Sequence, residues 1–61
     1  MNETLLTQVR TISSGTLATL TNEHNYTTLE QIRDLFWQYC KSLPQYWTWQ
    51  EAWESYLAKI T

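Results

Sequence analysis

The feature that most constrains the fold is the segment 27–60, which has the pattern of two amphipathic helices joined at a Leu43-Pro44 step. Eight of the nine aromatic residues of the chain lie in this segment. The residue before a proline is disfavoured from helical backbone angles, so the step ends the first helix. A short connection between helices brings the second back alongside the first. The segment therefore predicts an antiparallel helical hairpin.

The first arm of the hairpin is predicted as a helix over residues 28–43. A capping box, either Thr27 with Glu30 or Thr28 with Gln31, marks its start immediately before an apolar run. Apolar residues recur along the arm at the spacing of a single helical face. That face consists of Leu29, Ile32, Leu35, Phe36, Tyr39, Cys40 and Leu43.

The second arm is predicted as a helix over residues 49–60. Thr48 and Glu51 form another capping box at its start. Lys59 lies in the last turn, where the helix dipole favours a cation. The apolar face of this arm consists of Trp49, Ala52, Trp53, Tyr56, Leu57 and Ile60.

The N-terminal part of the chain carries a third apolar stripe over residues 3–22. A Ser13-Ser14-Gly15 sequence interrupts it, and glycine disfavours the interior of a helix while serine favours an N-cap. The alternatives are one long, kinked helix or two short helices with Ser14 capping the second. The stripe keeps its phase across Gly15, which favours one long helix. The stripe consists of Leu5, Val9, Ile12, Thr16 and Leu20, widened by Leu6 and Leu17.

These patterns predict an all-α fold, a small three-helix domain spanning 1–61 in which the long N-terminal helix packs across the hairpin. The stripe of Leu5, Val9, Ile12 and Leu20 is expected on the aromatic seam between the hairpin arms. A domain of 61 residues buries only about 60% of the surface of its unfolded chain. A single cysteine excludes an internal disulfide, so large aromatic side chains or self-association must supply the missing stability.

No residue pattern predicts catalysis, a cofactor or a metal site. Cys40 lies on an apolar helix face, where a thiol behaves as a small hydrophobic group. His24 lies in the polar segment 21–28, which we expect to be a loop, and one histidine with one cysteine cannot build a structural zinc site. The paired carboxylates lie on polar helix faces, where they remain solvated: Glu30 with Asp34, and Glu51 with Glu54. We therefore do not expect an enzyme.

Charge and hydropathy argue against two classes of partner. The net charge is −2, whereas a nucleic-acid-binding domain normally clusters its basic residues on one face. The sequence contains no run of 18 apolar residues, so no membrane span is predicted. The N-terminal residues lack the apolar core of a secretory signal. Together with the unpaired cysteine, this favours a cytoplasmic location.

One tryptophan does not fit the core. Trp37 lies at or beyond the margin of its helix's apolar face, with Arg33 and Lys41 one turn to either side. It either folds over the core edge with Arg33 stacked on its ring, or belongs to a contact surface, since Trp and Arg are enriched in binding hot spots. Tyr46 and Trp47 at the turn form an aromatic cluster with Trp49 and Trp53 that so small a domain cannot bury completely, and Trp47 is expected to be the exposed indole. The predicted partner-binding residues are Arg33, Trp37, Lys41, Tyr46 and Trp47.

The sequence thus favours a small non-enzymatic protein–protein interaction module, a regulator or adaptor of the kind common among phage and mobile-element accessory proteins. It would bind a protein partner, or a second copy as a homodimer, through an exposed aromatic patch. The alternative is a nucleic-acid-associated regulator of the helix-turn-helix type. That reading is disfavoured because acidic residues share the candidate recognition helices with the basic ones. A bundle that binds a small ligand in an aromatic pocket is the third possibility.

Overall fold

The structure, a computed structural model, describes residues 3–44 and 46–60. This part of the chain contains helices only, which confirms the all-α prediction. The described residues form four helices rather than three: α1 (Glu3–Arg10), α2 (Ser14–Thr21), α3 (Tyr26–Cys40) and α4 (Trp49–Ile60).

The long N-terminal helix predicted over 3–22 is wrong, because the chain breaks between α1 and α2. Ser13 has extended backbone angles, and its hydroxyl accepts the amide hydrogen of Thr16 at 3.1 Å. This is the N-cap arrangement that begins a new helix. The alternative of two short helices is therefore correct, with Ser13 rather than Ser14 as the cap.

The apolar stripe also changes register at this break. Leu5, Val9 and Ile12 are buried as predicted, but the next fully buried residue is Leu17. Leu20, which we placed on the same stripe, is 40% exposed. The second helix starts in its own orientation, so the apparent continuity of phase across Gly15 does not reflect one straight helix.

The connection from α2 to α3 is shorter than the predicted loop. Asn22 closes α2 in the left-handed conformation, with φ 58°, and its amide donates to the carbonyl of Ala18 at 2.8 Å. Asn25 then caps α3 through its side-chain oxygen, which accepts the amide hydrogen of Thr28 at 3.1 Å. Neither predicted capping box begins α3, since asparagine, a stronger N-cap than threonine, precedes both.

The connection from α3 to α4 begins before the proline. α3 ends at Cys40 rather than at residue 43, and the amide of Leu43 donates to the Cys40 carbonyl at 3.0 Å in a tightened last turn. α4 spans the predicted residues. Its capping box is confirmed, since the Glu51 carboxylate accepts from the Thr48 amide at 3.1 Å and the Thr48 hydroxyl accepts from the Glu51 amide at 3.3 Å.

The centre of the fold is α3, which packs against each of the other three helices. Phe36 is fully buried at its middle and meets the Trp53 ring of α4 edge-on at 5.1 Å. Burial of one such side chain contributes about 1.5–3 kcal/mol. Tyr39 extends this contact, since its hydroxyl lies 2.6 Å from the Ser55 hydroxyl. The hairpin of α3 and α4 is thus held by aromatic packing.

The apolar faces of α3 and α4 are narrower than predicted. Leu35 is 60% exposed, and Leu57 and Ile60 at the end of α4 are exposed as well. Two of the nine aromatic side chains, Phe36 and Trp53, are buried; the others are half-buried or exposed. Most of the aromatic side chains therefore keep part of their surface exposed.

Candidate functional site

The candidate site is centred on Trp37, which α3 holds at the edge of the core. Trp37 is half-buried and packs on the core cluster. The guanidinium carbon of Arg10, at the end of α1, lies 4.7 Å from the centre of the Trp37 ring. The ammonium of Lys41, the C-cap residue of α3, lies 4.7 Å from the same centre. Two cations from two helices thus converge on one indole.

This convergence follows from local helix geometry and from one tertiary contact. Lys41 follows Trp37 by four residues, so the two side chains are neighbours on the helix surface. Arg10 follows Leu6 by the same spacing, and Leu6 packs against the core where α1 meets α3. The packing of α1 on α3 therefore brings Arg10 to a ring on a different helix.

Two shallow depressions are both lined by Trp37 and Arg10. One of about 400 Å³ is lined by Arg10, Glu30, Arg33 and Asp34 together with Trp37. The other, of about 290 Å³, is lined by Glu3, Leu6, Thr7 and Arg10 with Trp37. The surface around the indole therefore has both relief and charges of both signs.

Neither cation on Trp37 is neutralised by a carboxylate within the described part of the chain. Arg10 and Lys41 have ring contacts there but no ion pair within 4.0 Å. Cation–π contacts at exposed sites are worth about 0.5–1 kcal/mol each. Both cations are thus held beside the same ring, but the contacts are weak enough that a carboxylate of a binding partner could pair with either cation instead.

Arg33 does not stack on Trp37 as one of our two readings expected. Its guanidinium donates instead to the carbonyl oxygen of Ile12 at 2.9 Å, so its role in the fold is to hold the turn between α1 and α2. Arg10 takes the position on the ring. Sequence reasoning missed Arg10, although its spacing from Leu6 along α1 was a usable signal.

The indole nitrogen of Trp37 has an unusual environment. Nε1 is inaccessible to solvent and has no hydrogen-bond partner among the described residues. A buried donor without an acceptor costs about 1–3 kcal/mol. The nitrogen atom of the indole is therefore covered, while part of the side chain remains exposed.

The two aromatic residues at the α3–α4 turn behave differently from each other. Tyr46 is 81% exposed, whereas Trp47 is half-buried and packs against the core. We expected Trp47 to be the exposed indole of the turn; it is half-buried, as Trp49 is, whereas Trp53 is buried. The larger indole gains more by burial, and the Trp47 amide, bonded to the Pro44 carbonyl at 3.3 Å, lies in a closed turn.

The other residues considered for chemistry remain separate. Cys40 is fully buried, and desolvation raises the pKa of its thiol to about 11, so the reactive thiolate is disfavoured. His24 is exposed in the loop between α2 and α3. No group of three metal-ligating side chains occurs within residues 3–44 and 46–60. Over the same residues, no helix has the length and apolar character needed to cross a bilayer.

Comparisons of the chain with protein-family models, with curated proteins and with solved structures find no match.

Proposed function

We propose that this chain is a small non-enzymatic protein-interaction module, a regulator or adaptor, that docks a protein partner through the surface around Trp37. The observation that carries the proposal is the convergence of Arg10 and Lys41 on a half-buried indole. Tryptophan and arginine are the residue types most enriched where binding energy concentrates. The half-buried indole offers an apolar contact, and the two cations offer adjustable polar ones.

The charge distribution supports the same surface. Three of the four basic residues of the chain, Arg10, Arg33 and Lys41, lie around Trp37. The fourth, Lys59, lies on α4 with its ammonium 5.0 Å from the Tyr39 ring centre. Lys59 therefore provides a matched control, since it too is a lysine stacked on an aromatic ring.

The test is affinity capture from a lysate of the native organism with two charge-reversed variants, Lys41→Glu and Lys59→Glu. Each lowers the net charge by two, from −2 to −4. We expect a partner identified by mass spectrometry with the wild type to be lost with Lys41→Glu and kept with Lys59→Glu. Equal retention by both variants would exclude docking at Trp37.

The nucleic-acid alternative is tested by titrating generic duplex DNA at increasing salt. Neutralising phosphates releases counterions, so specific and non-specific DNA binding both weaken steeply as salt rises. Glu30 and Asp34, which line the depression beside Trp37, would face the phosphates and oppose such binding. We expect no salt-dependent binding to duplex DNA.

A further inference from the structure

The charges around Trp37 follow an order along α3. Glu30, Asp34, Trp37 and Lys41 succeed one another at spacings of four, three and four residues, which keeps them on one face of the helix. The stripe is acidic toward the N-terminus of α3 and basic toward its C-terminus. Arg10 adds a second cation at the basic end, next to Trp37.

A twofold axis between two copies reverses this order, so that the acidic end of one stripe faces the basic end of the other. When two copies of α3 lie antiparallel and cross midway between residues 35 and 36, Glu30 of each faces Lys41 of the other. Asp34 then faces Trp37 of the second copy and the Arg10 stacked on it. Symmetry repeats each pairing, as in any isologous interface.

We propose that the Trp37 surface binds a second copy of this chain, with α3 antiparallel to α3 in this register. This inference rests on the proposed function and names the partner of the same surface. In this arrangement Trp37 of one copy faces Asp34 of the other, and both residues line the depression of about 400 Å³.

Charge complementarity favours a second copy over a uniformly charged peptide. An acidic segment would meet Glu30 and Asp34, and a basic segment would meet Arg10 and Lys41. The same stripe in reverse order satisfies all four. A standard interface takes about 800 Å² per partner. That is about one fifth of the 4218 Å² that this chain exposes.

The test is sedimentation equilibrium of charge-reversed variants at low ionic strength, where exposed charges are least screened. Glu30→Lys and Lys41→Glu each place like charges opposite one another twice in the dimer. We expect each to weaken self-association about tenfold or more, since like-charge juxtaposition is strongly unfavourable at an interface. An equimolar mixture of the two should associate again as a heterodimer, because both facing pairs become attractive.

Two controls separate this register from a general effect of charge. Lys59→Glu has the same net charge as Lys41→Glu but leaves both facing pairs of the proposed interface intact, so it should self-associate like the wild type. The double variant Glu30→Lys/Lys41→Glu keeps the net charge of −2 and should self-associate like the wild type. Circular dichroism of each variant checks that it folds.

A monomeric wild type at millimolar concentration, or a mixture no better than its parents, would overturn the proposal. Such a result leaves the docking of a different protein at Trp37 intact, because that function is measured separately by capture. If Lys41→Glu and Lys59→Glu captured the partner equally well while the wild type still dimerised, the proposed function would be excluded and the self-association would stand.

Discussion

The guanidinium of Arg33 donates a 2.9 Å hydrogen bond to the carbonyl of Ile12 and so joins the middle of α3 to the turn between α1 and α2. Ile12 is buried and lies outside both helices, where no helical amide returns to its carbonyl. The bond therefore satisfies an acceptor that the helix break has left open.

Replacing Arg33 by methionine, which keeps an unbranched side chain but removes the donor, should lower the free energy of unfolding by about 1–3 kcal/mol. Arg10→Met is the matched variant, since Arg10 contacts Trp37 without such a bond, and it should cost less than about 1 kcal/mol. Urea denaturation measures both. Equal losses would mean that the bond to Ile12 contributes nothing specific.

Trp37→Phe should leave the free energy of unfolding within about 0.5 kcal/mol of the wild type. The smaller ring loses apolar contact, but it also removes a buried N–H that has no acceptor among the described residues. Trp37→Ala removes both the ring and the donor. It should lower the free energy of unfolding by about 1–2 kcal/mol, since the site is only half-buried. Thermal denaturation compares the two. A phenylalanine variant as unstable as the alanine variant would show that Nε1 is satisfied in solution.

Ser13→Ala should destabilise the fold by about 1 kcal/mol, because it removes the cap that accepts the Thr16 amide. Ser14→Ala is its control, since Ser14 lies in the first turn of α2, where alanine is well tolerated. Chemical denaturation of the pair distinguishes the two serines. The reverse ranking would place the start of α2 one residue later.

Stability should fall at high pH because of Cys40. Burial raises the pKa of its thiol from 9.0 to about 11, so between these values the unfolded chain releases a proton that the folded chain keeps. The free energy of unfolding therefore decreases as pH rises through this window, at about 1.4 kcal/mol per pH unit at most. Below pH 9 both states keep the proton, and the thiol adds no slope.

The measurement compares the wild type with Cys40→Ala from pH 7 to 11. Other groups that titrate in this range are common to both proteins, so the difference isolates the thiol. A constant difference across the range would contradict the predicted ionisation.

The sequence predicts well those features, such as the ends of a helix, that residues close together in the chain determine. α4 begins and ends where predicted because Thr48 and Glu51 cap each other within a single turn. The start of α3 was misplaced because three candidate caps, Asn25, Thr27 and Thr28, compete within four residues, and the strongest lies first. The all-α class of the fold follows from the periodicity of the apolar residues alone.

The sequence does not predict how the helices are oriented relative to one another. The break at Ser13 gives α2 its own orientation, in which Leu17 rather than Leu20 faces the core. The spacing of apolar residues along the sequence does not predict that orientation. The site shows the same limit. The nearness of Lys41 to Trp37 follows from one helix, whereas that of Arg10 depends on how α1 packs against α3.

The position of α2 has a consequence for how this small fold opens. Among the described elements, α2 packs against α3 alone, whereas α1, α3 and α4 all contact one another. Leu17 is its one fully buried anchor. Rotation at Ser13 and Asn22 would detach this helix of about two turns while the remaining three helices stay assembled. Backbone amides of α2 should accordingly exchange with deuterium through a partial unfolding of lower free energy than those of α3.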